Sequence, residues 1–252
     1  MQTFDKFKTF IFDLDGTVWC WTNLFPRVKE VIDKLNNSGK QVLFVTNNTL
    51  VTRKDLAKRL NAFGIEAKEK NVLNPSILIA KQIKKKGGKA IVFCEALKKD
   101  LKKLGIKIVE KPPADFLVVG YDQKFNDRKL RIGVEALEKG AKFLISARGK
   151  HFIYGKKVIS GTGVVVDIIE KMSGKKATLL GKPSKPFQRL VELNVKSSRK
   201  ETALFGDELK SDVVLGKNAG YFTVLVRTGV DKKAKGKIKP VLVLNSVADI
   251  RL

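Results

Sequence analysis

Two aspartates follow directly on an apolar segment near the start of the sequence. Residues 9–12 are β-branched or aromatic and do not alternate with polar residues, which is typical of a parallel strand buried on both faces. Asp13 and Asp15 come next, and Gly16 then allows a sharp turn. Because side chains two residues apart on an extended segment share a face, we expect both carboxylates to point the same way at the carboxyl end of this strand.

A pair of neighbouring carboxylates needs a counter-charge. Two anions held side by side raise each other's pKa unless a cation lies between them. Mg²⁺ is a hard cation that prefers oxygen ligands, and open α/β sheets bind their ligands at the carboxyl ends of the strands. The segment that contains Asp13 and Asp15 therefore predicts a Mg²⁺ site at this edge of a sheet.

Three further segments place polar side chains at the ends of predicted strands. They are Thr46 and Asn47 after strand 41–45, Lys182 after strand 178–180, and Asp207 with Asp212 after strand 202–205. The carboxyl ends of parallel strands meet on one edge of a sheet, so we expect these side chains to converge on the two aspartates.

The predicted cluster contains each group that phosphoryl transfer requires. One carboxylate can attack phosphorus, and a second acid can protonate the leaving oxygen and later deprotonate water. A hydroxyl and a lysine can hold the phosphoryl oxygens, and further acids can hold the metal. Enzymes accelerate the slowest hydrolyses by up to ~10²¹, whereas general acid–base catalysis supplies about 10²–10⁴. The nucleophile, the metal and the cationic clamp must therefore act together.

The segments between these residues predict an α/β fold. Strand 9–12, helix 27–37, strand 41–45 and helix 52–63, with Thr52 as N-cap, alternate as in a parallel sheet. A second series of strands and helices follows the Gly87-Gly88 pair, and the first sheet is expected to resume with strand 178–180. We therefore predict a discontinuous core of residues 1–75 and 179–252, with an inserted α/β domain at residues 76–178.

Four segments resemble the motifs of the haloacid dehalogenase (HAD) superfamily of phosphatases, in its NagD-like, p-nitrophenylphosphatase branch. They are FDLDGT at 12–17, FVTNN at 44–48, GKP at 181–183 and GDELKSD at 206–212. Segments 118–125 and 218–229 resemble the same branch, so the likeness covers nearly the whole chain.

The resemblance implies a Rossmann-like parallel-sheet core with a large inserted α/β cap. It also implies a Mg²⁺-dependent phosphoric monoester hydrolase, of the 4-nitrophenylphosphatase type, that acts through an aspartyl-phosphate. The implied roles are nucleophile and metal ligand for Asp13, general acid/base and metal ligand through its carbonyl for Asp15, phosphoryl binding for Thr46 and Asn47, charge neutralisation for Lys182, metal binding for Asp207, and support for Asp212.

A cap of this size generally excludes macromolecules, which implies small phosphorylated metabolites such as sugar or nucleotide phosphates as substrates. A homodimer formed through the cap is common among relatives.

The sequence departs from the branch at segment 146–151, where Arg148 and Lys150 are either substrate-binding cations or solvated ones, and where His151 is the only histidine. Trp21 and Arg27 stand where the branch commonly has glycines, and Trp19 is expected either to pack in the core or to line the leaving-group pocket.

The chain is strongly basic. It has 51 Lys and Arg residues against 25 Asp and Glu residues, a formal net charge of +26. This charge supports one alternative, a basic HAD-fold protein that binds nucleic acid or another anionic partner with weak turnover. The lysines are spread along the sequence without interleaved aromatics, which favours a general surface property. The two cysteines form no metal-binding or disulfide pattern, and the sequence has no signal-peptide segment and no long apolar run. We therefore expect a cytoplasmic protein without a membrane partner.

Overall fold

The structure of the protein is a computed structural model that describes residues 3–154, 157–234 and 236–251. The strands in these residues are β1 (Thr9–Asp13), β2 (Trp19–Cys20), β3 (Asn23–Leu24), β4 (Gln41–Val45), β5 (Val72–Leu73), β6 (Lys89–Phe93), β7 (Lys107–Ile108), β8 (Phe116–Val119), β9 (Lys142–Ile145), β10 (His151–Tyr154), β11 (Lys157–Ser160), β12 (Thr178–Leu179), β13 (Thr202–Gly206), β14 (Phe222–Val226) and β15 (Leu242–Leu244). The α-helices are α1 (Val28–Asn37), α2 (Arg53–Ala62), α3 (Pro75–Lys86), α4 (Glu95–Lys103), α5 (Asp127–Glu138), α6 (Thr162–Ser173), α7 (Lys185–Glu192) and α8 (Val214–Ala219).

The first sheet contains six parallel strands in the order β15-β14-β13-β1-β4-β5. The chain runs from β1 outwards to β4 and β5, and it later returns to β13 on the other side of β1. The strand order therefore reverses beside β1, and open α/β sheets bind ligands at such a point, outside the carboxyl ends of the strands. The predicted α/β class with a Rossmann-like parallel sheet is confirmed.

Alternate residues of β1 pack into opposite layers of the core. Phe10 and Phe12 belong to a cluster that includes buried residues of α1 and α2. Ile11 belongs to a cluster on the other face, which includes buried residues of α7 and α8. All five residues of β1 are buried, because both faces of the sheet are covered by helices.

A second sheet of five parallel strands has the order β12-β9-β8-β6-β7. Its two faces are also covered by helices. Ile79 of α3 and Leu101 of α4 pack on one face, and Leu137 of α5 and Ile169 of α6 pack on the other. Residues 89–179, from β6 to β12, are called the second-sheet unit below.

The expectation that strand 178–180 resumes the first sheet is wrong. β12 pairs with β9 in the second sheet, with Thr178 opposite Leu144 and Leu179 opposite Ile145. A strand of two residues carries too little hydrophobic pattern to indicate its sheet, whereas its nearness in sequence to α6 favours a neighbour in the same unit. The chain rejoins the first sheet at β13.

Several predicted helix boundaries agree with the structure to within about two residues. The Oγ1 atom of Thr52 accepts a hydrogen bond from the backbone N–H of Asp55 at 3.2 Å, as expected for the N-cap of α2. Two short antiparallel hairpins, β2–β3 and β10–β11, and the edge strand β5 were not predicted. Within the described residues, no helix combines the length and the apolar character needed to cross a membrane.

Candidate active site

Lys182 lies between two buried carboxylates. Its Nζ atom donates to Oδ1 of Asp13 at 2.6 Å, to Oδ1 of Asp212 at 2.7 Å and to the carbonyl of Val45 at 3.3 Å. Asp13 ends β1, Lys182 follows β12, and Asp212 lies in a π-helical turn after β13. Three distant parts of the sequence therefore meet at the carboxyl edge of the first sheet, and Lys182 is only 4% exposed there.

Asp207 completes a group of three buried carboxylates with Asp13 and Asp212. One oxygen from each residue lies within 4.8 Å of the other two. The backbone N–H of Val230 donates to Oδ2 of Asp207 at 2.6 Å and fixes this carboxylate. The structure thus places all three aspartates where a single cation could contact them.

The electrostatics of the cluster are dominated by burial. Burial raises the pKa of Asp13 above its usual range, Lys182 opposes that rise, and Asp212 and Asp207 add to it. Burial also raises the pKa of Asp207 to about 7, and the charge of Asp212 adds to this effect. Although burial alone would lower the pKa of Lys182, the carboxylates of Asp13 and Asp212 hold it above its usual value.

The donor set fits a hard divalent cation. Three carboxylates face one ammonium group, so the cluster has excess negative charge in a region from which water is largely excluded. Carboxylate oxygens are ligands that Mg²⁺ prefers, and a bound cation would offset the burial and the repulsion from Asp212 and Asp207 that raise the pKa of Asp13. The residues present therefore suit the Mg²⁺ ion expected from the sequence.

Gly16 lets the backbone approach this cluster closely. Its φ is +85°, and a Cβ atom at this position would collide with the carboxylate of Asp207. A residue with a side chain would be strained in this conformation and would also displace a potential metal ligand.

Asp15 lies outside the group of three carboxylates. We expected Asp13 and Asp15 to point the same way because an extended strand was expected to continue to Asp15. In the structure, β1 ends at Asp13 and the chain turns after it. The Asp15 carboxylate accepts hydrogen bonds from Nε1 of Trp19 and from Nδ2 of Asn48, each at 2.9 Å. The two acids therefore have different partners.

Thr46 and Asn47 lie at the end of β4, beside the cluster. Thr46 is buried, and its Oγ1 accepts from the backbone N–H of Asn48 at 2.9 Å. The side-chain amide of Asn47 accepts from the N–H of Lys182 at 2.7 Å and donates to its carbonyl at 3.1 Å. The side chain of Asn47 therefore positions Lys182, a contact that the sequence analysis did not anticipate.

Thr49 connects this loop to the second-sheet unit. Its carbonyl accepts from Sγ of Cys94 at 2.9 Å, and its Oγ1 accepts from the N–H of Tyr121 and contacts Oγ of Ser146, both at 3.4 Å. These three partners follow β6, β8 and β9. The carboxyl edge of the second sheet thus faces the carboxyl edge of the first.

The cations of segment 146–151 are held within the second-sheet unit. Arg148 pairs with Glu170 at 2.5 Å and with Asp167 at 3.5 Å, and Lys150 pairs with Asp167 at 2.7 Å. Both cations are thus paired with acids on α6. To bind a substrate, Arg148 and Lys150 would have to break these ion pairs. His151 is exposed at the start of β10.

Asn48 and Trp19 both contact Asp15, which the sequence analysis did not predict. Asn48 lies inside the second motif, so its position was known, but its contact with Asp15 depends on how two loops pack. Trp19 is fully buried, so it does not form an open wall of a pocket, and its indole reaches Asp15. The amide of Asn48 and the indole of Trp19 are therefore part of the candidate site.

Comparison with known proteins agrees with this geometry. A family model described as haloacid dehalogenase-like hydrolase matches residues 10–107, and a HAD-hydrolase-like model matches residues 179–250. The chain is 31% identical over 231 residues to the 5'-nucleotidase YutF of Bacillus subtilis, which covers 90% of each chain.

Solved structures give the same result. A p-nitrophenyl phosphatase from Archaeoglobus fulgidus has a TM-score of 0.88 at 30% identity and covers 96% of this chain and 97% of its own. NagD from Escherichia coli K-12 has a TM-score of 0.84 at 28% identity and covers 99% of both chains. The chain therefore belongs to the haloacid dehalogenase-like hydrolases and, within them, to the NagD-like branch of phosphatases.

Proposed function

We propose that this protein is a Mg²⁺-dependent phosphatase that hydrolyses small phosphomonoesters through an aspartyl-phosphate on Asp13. The observation that carries the proposal is the contact of Lys182 with Asp13 and Asp212, beside Asp207, at the carboxyl edge of the first sheet. Burial raises the pKa of Asp13, and the ammonium of Lys182 opposes that rise and so favours the ionised form that a nucleophile requires.

The first step forms the aspartyl-phosphate. A carboxylate oxygen of Asp13 bonds to phosphorus while the bond between phosphorus and the ester oxygen breaks. Asp15 delivers its proton to that oxygen as it leaves, so the product is a neutral alcohol. Lys182 stays next to Asp13 and offsets the charge of the transferred group.

The second step releases inorganic phosphate. The carboxylate of Asp15, left ionised by the first step, takes a proton from a water molecule as its oxygen bonds to phosphorus. The bond between phosphorus and the Asp13 oxygen breaks, which restores the free carboxylate. Asp15 therefore donates a proton in the first step and accepts one in the second.

The phosphoryl oxygens are held by Thr46, Asn47 and Lys182. The hydroxyl of Thr46 lies at the end of β4, beside Asp13. Because the Asn47 amide is engaged by the backbone of Lys182, the contribution of Asn47 comes from its backbone N–H. Donors fixed by such contacts need no reorganisation during the reaction.

Asp13 and Asp207 would hold Mg²⁺ through their carboxylates and Asp15 would hold it through its backbone carbonyl, with Asp212 as a supporting residue. When bound, the ion supplies positive charge that offsets the charges of these acids and of the phosphoryl group. The buried group of three carboxylates supports this assignment.

Residues 76–178 act as a cap over the site, and the cap restricts the substrates to small esters. The contacts of Thr49 with the second-sheet unit support this part of the proposal, because they place two carboxyl edges against each other. One relative is a 5'-nucleotidase and another, at 26% identity, is an acid sugar phosphatase of Staphylococcus haemolyticus. Nucleotide and sugar monophosphates are therefore the substrate classes to test first.

Hydrolysis of p-nitrophenyl phosphate by the purified protein tests the proposal. We expect activity that requires Mg²⁺, that EDTA removes, and that falls at least about a thousandfold in Asp13→Asn. Asp5→Asn, at an exposed position, is the matched control and should retain the activity. A full rate in Asp13→Asn would refute the assignment of the nucleophile.

A further inference from the structure

Trp19 makes a directed polar contact from a fully buried position. Its side chain has no exposed surface, and its Nε1–H donates to Oδ1 of Asp15 at 2.9 Å. A buried indole usually finds one hydrogen-bond partner, and here that partner is the residue to which the proposed mechanism assigns both proton transfers.

The indole ring itself is held in place by its neighbours. The ring of Phe63 lies 5.9 Å from it between centroids, and the guanidinium of Arg59 lies 5.5 Å from its centroid. Arg59 is fixed in turn, because it donates to the carbonyl of Trp21 at 3.2 Å. The direction of the Nε1–H bond is therefore set by packing and by a cation–π contact on α2.

The second oxygen of Asp15 is held by a different loop. Oδ2 accepts from Nδ2 of Asn48 at 2.9 Å, while Oδ1 of Asn48 accepts from the N–H of Leu50 at 2.8 Å. Each carboxylate oxygen thus has one fixed donor, and each retains a lone pair that can bind a proton.

The backbone alone does not fix this carboxylate. β1 ends at Asp13, and the backbone of Asp15 forms an isolated bridge with Trp19 beyond the strands of the six-stranded sheet. That sheet therefore does not determine the direction of the Asp15 side chain. The two hydrogen bonds, from Trp19 and Asn48, take over that function.

We propose that Trp19 is a positioning residue, whose indole N–H holds the Asp15 carboxylate in the orientation needed for proton transfer. This inference rests on the proposed role of Asp15 as general acid and base. With the indole N–H absent, only the amide of Asn48 still holds the carboxylate, which can then rotate about that one hydrogen bond. The proton therefore reaches the leaving oxygen less often as the bond from that oxygen to phosphorus breaks.

Trp19→Phe tests the proposal, because it keeps an aromatic ring and removes the N–H. Its kcat/KM should fall about ten- to hundredfold for an alkyl phosphate such as glycerol phosphate, since an alkoxide leaves poorly without a proton. The fall should be several times smaller for p-nitrophenyl phosphate, whose leaving group needs little protonation. Phe7→Leu trims another buried ring of the same core cluster and should lower Tm without changing the ratio between the two substrates.

The same substitution in an Asp15→Asn background completes the test. Trp19→Phe should have no further effect there, because the group that it positions has been lost. An equal loss on both substrates that persists in Asp15→Asn, or no loss at all while Asp15→Asn is impaired, would overturn the role of Trp19 and leave the phosphatase assignment intact. A wild-type rate in Asp15→Asn would instead remove the role of Asp15 and this inference with it.

A spectroscopic measurement does not depend on the folding of the Trp19 variant. In ¹⁵N-labelled protein, the indole N–H resonance of Trp19 should shift in Asp15→Asn and exchange faster with solvent, while the resonance of Trp21 moves less. An unchanged Trp19 resonance would show that the contact with Asp15 is absent in solution and would overturn the proposal.

Discussion

Lys182 pairs with two of the three clustered acids. Its ammonium donates hydrogen bonds to Asp13 and Asp212. Among the described residues, the structure shows no hydrogen bond from this ammonium to Asp207. Breaking a buried ion pair by removing one partner typically costs about 3–5 kcal/mol, so an arrangement of this kind is costly to leave incomplete. Asp13 is therefore paired with the ammonium of Lys182, whereas the carboxylate of Asp207 remains available to a metal ion.

Asp207 and Asp15 should respond differently when Mg²⁺ binding is measured. We expect Asp207→Asn to weaken Mg²⁺ binding at least about tenfold, because one of three clustered carboxylates is lost. Asp15→Asn should bind Mg²⁺ nearly as well as the unmodified protein while its phosphatase activity falls, because the side chain of Asp15 lies outside the cluster. Isothermal titration calorimetry with MgCl₂ measures both affinities, and equal losses in the two variants would argue against the proposed ligands.

The individual residues show where sequence reasoning succeeds and where it stops. Asp13 and Asp207 could be placed from the sequence because each lies at the carboxyl end of an apolar strand, and the strand ends of a parallel sheet share one edge. The partners of Asn47 and Asp15 could not, because side-chain amides and carboxylates choose among several donors that only tertiary packing brings near. The contacts of Asn47 with Lys182 link residues 135 positions apart.

The loop after β4 organises most of the site. Asn47 binds the backbone of Lys182, Asn48 binds Asp15, and Thr49 binds the ends of strands in the second sheet. Consecutive residues of one loop thus contact Lys182, the proposed general acid/base Asp15 and the proposed cap. Any movement of the second-sheet unit that displaces Thr49 acts on a residue adjacent to Asn48.

Helix α6 carries a carboxylate that anchors the segment after β9. Glu170 accepts from Arg148, from Lys176 and from the N–H of Ala177 at 2.8 Å. The hydrogen bond from Arg148 lowers the pKa of Glu170 to about 2, although burial opposes the shift. A carboxyl group whose pKa is lowered by folding stabilises the folded state above its unfolded pKa, and this stabilisation is lost as the pH falls towards the folded pKa.

Glu170→Gln should therefore reduce stability in a pH-dependent way. We expect Tm to fall by a few degrees at neutral pH, and we expect the difference from the unmodified protein to shrink as the pH decreases from about 5 to about 2. Thermal unfolding followed by circular dichroism measures this difference. Glu66→Gln, at an exposed position, controls for the loss of one carboxylate, and a difference for Glu170→Gln that does not vary with pH would contradict this explanation.

Short strands were the elements that the sequence could not place. β4 was predicted with its exact limits because it contains four consecutive apolar residues, whereas β5 and β12 have two residues each. Both short strands depend on a neighbouring strand for their conformation, so hydrophobic pattern alone neither detects β5 nor assigns β12 to the correct sheet.

The architecture as a whole consists of two parallel sheets whose carboxyl edges face each other around Thr49. Such an arrangement suits an enclosed site for a small anionic substrate, and a formal net charge of +26 favours the approach of phosphate esters. Binding of nucleic acid and dimerisation through the cap stay predictions from the sequence, as do the limits of the cap at residues 76 and 178.

Trapping of the covalent intermediate tests directly whether phosphoryl transfer passes through Asp13. Asp15→Asn should accumulate the aspartyl-phosphate from p-nitrophenyl phosphate, because this leaving group departs without a proton whereas the attacking water still needs a base. Acid quenching followed by borohydride reduction converts an aspartyl-phosphate into homoserine, which peptide mass spectrometry locates. We expect homoserine at position 13 during turnover and none without substrate. Release of p-nitrophenol with position 13 unmodified, or with the label on another residue, would contradict it.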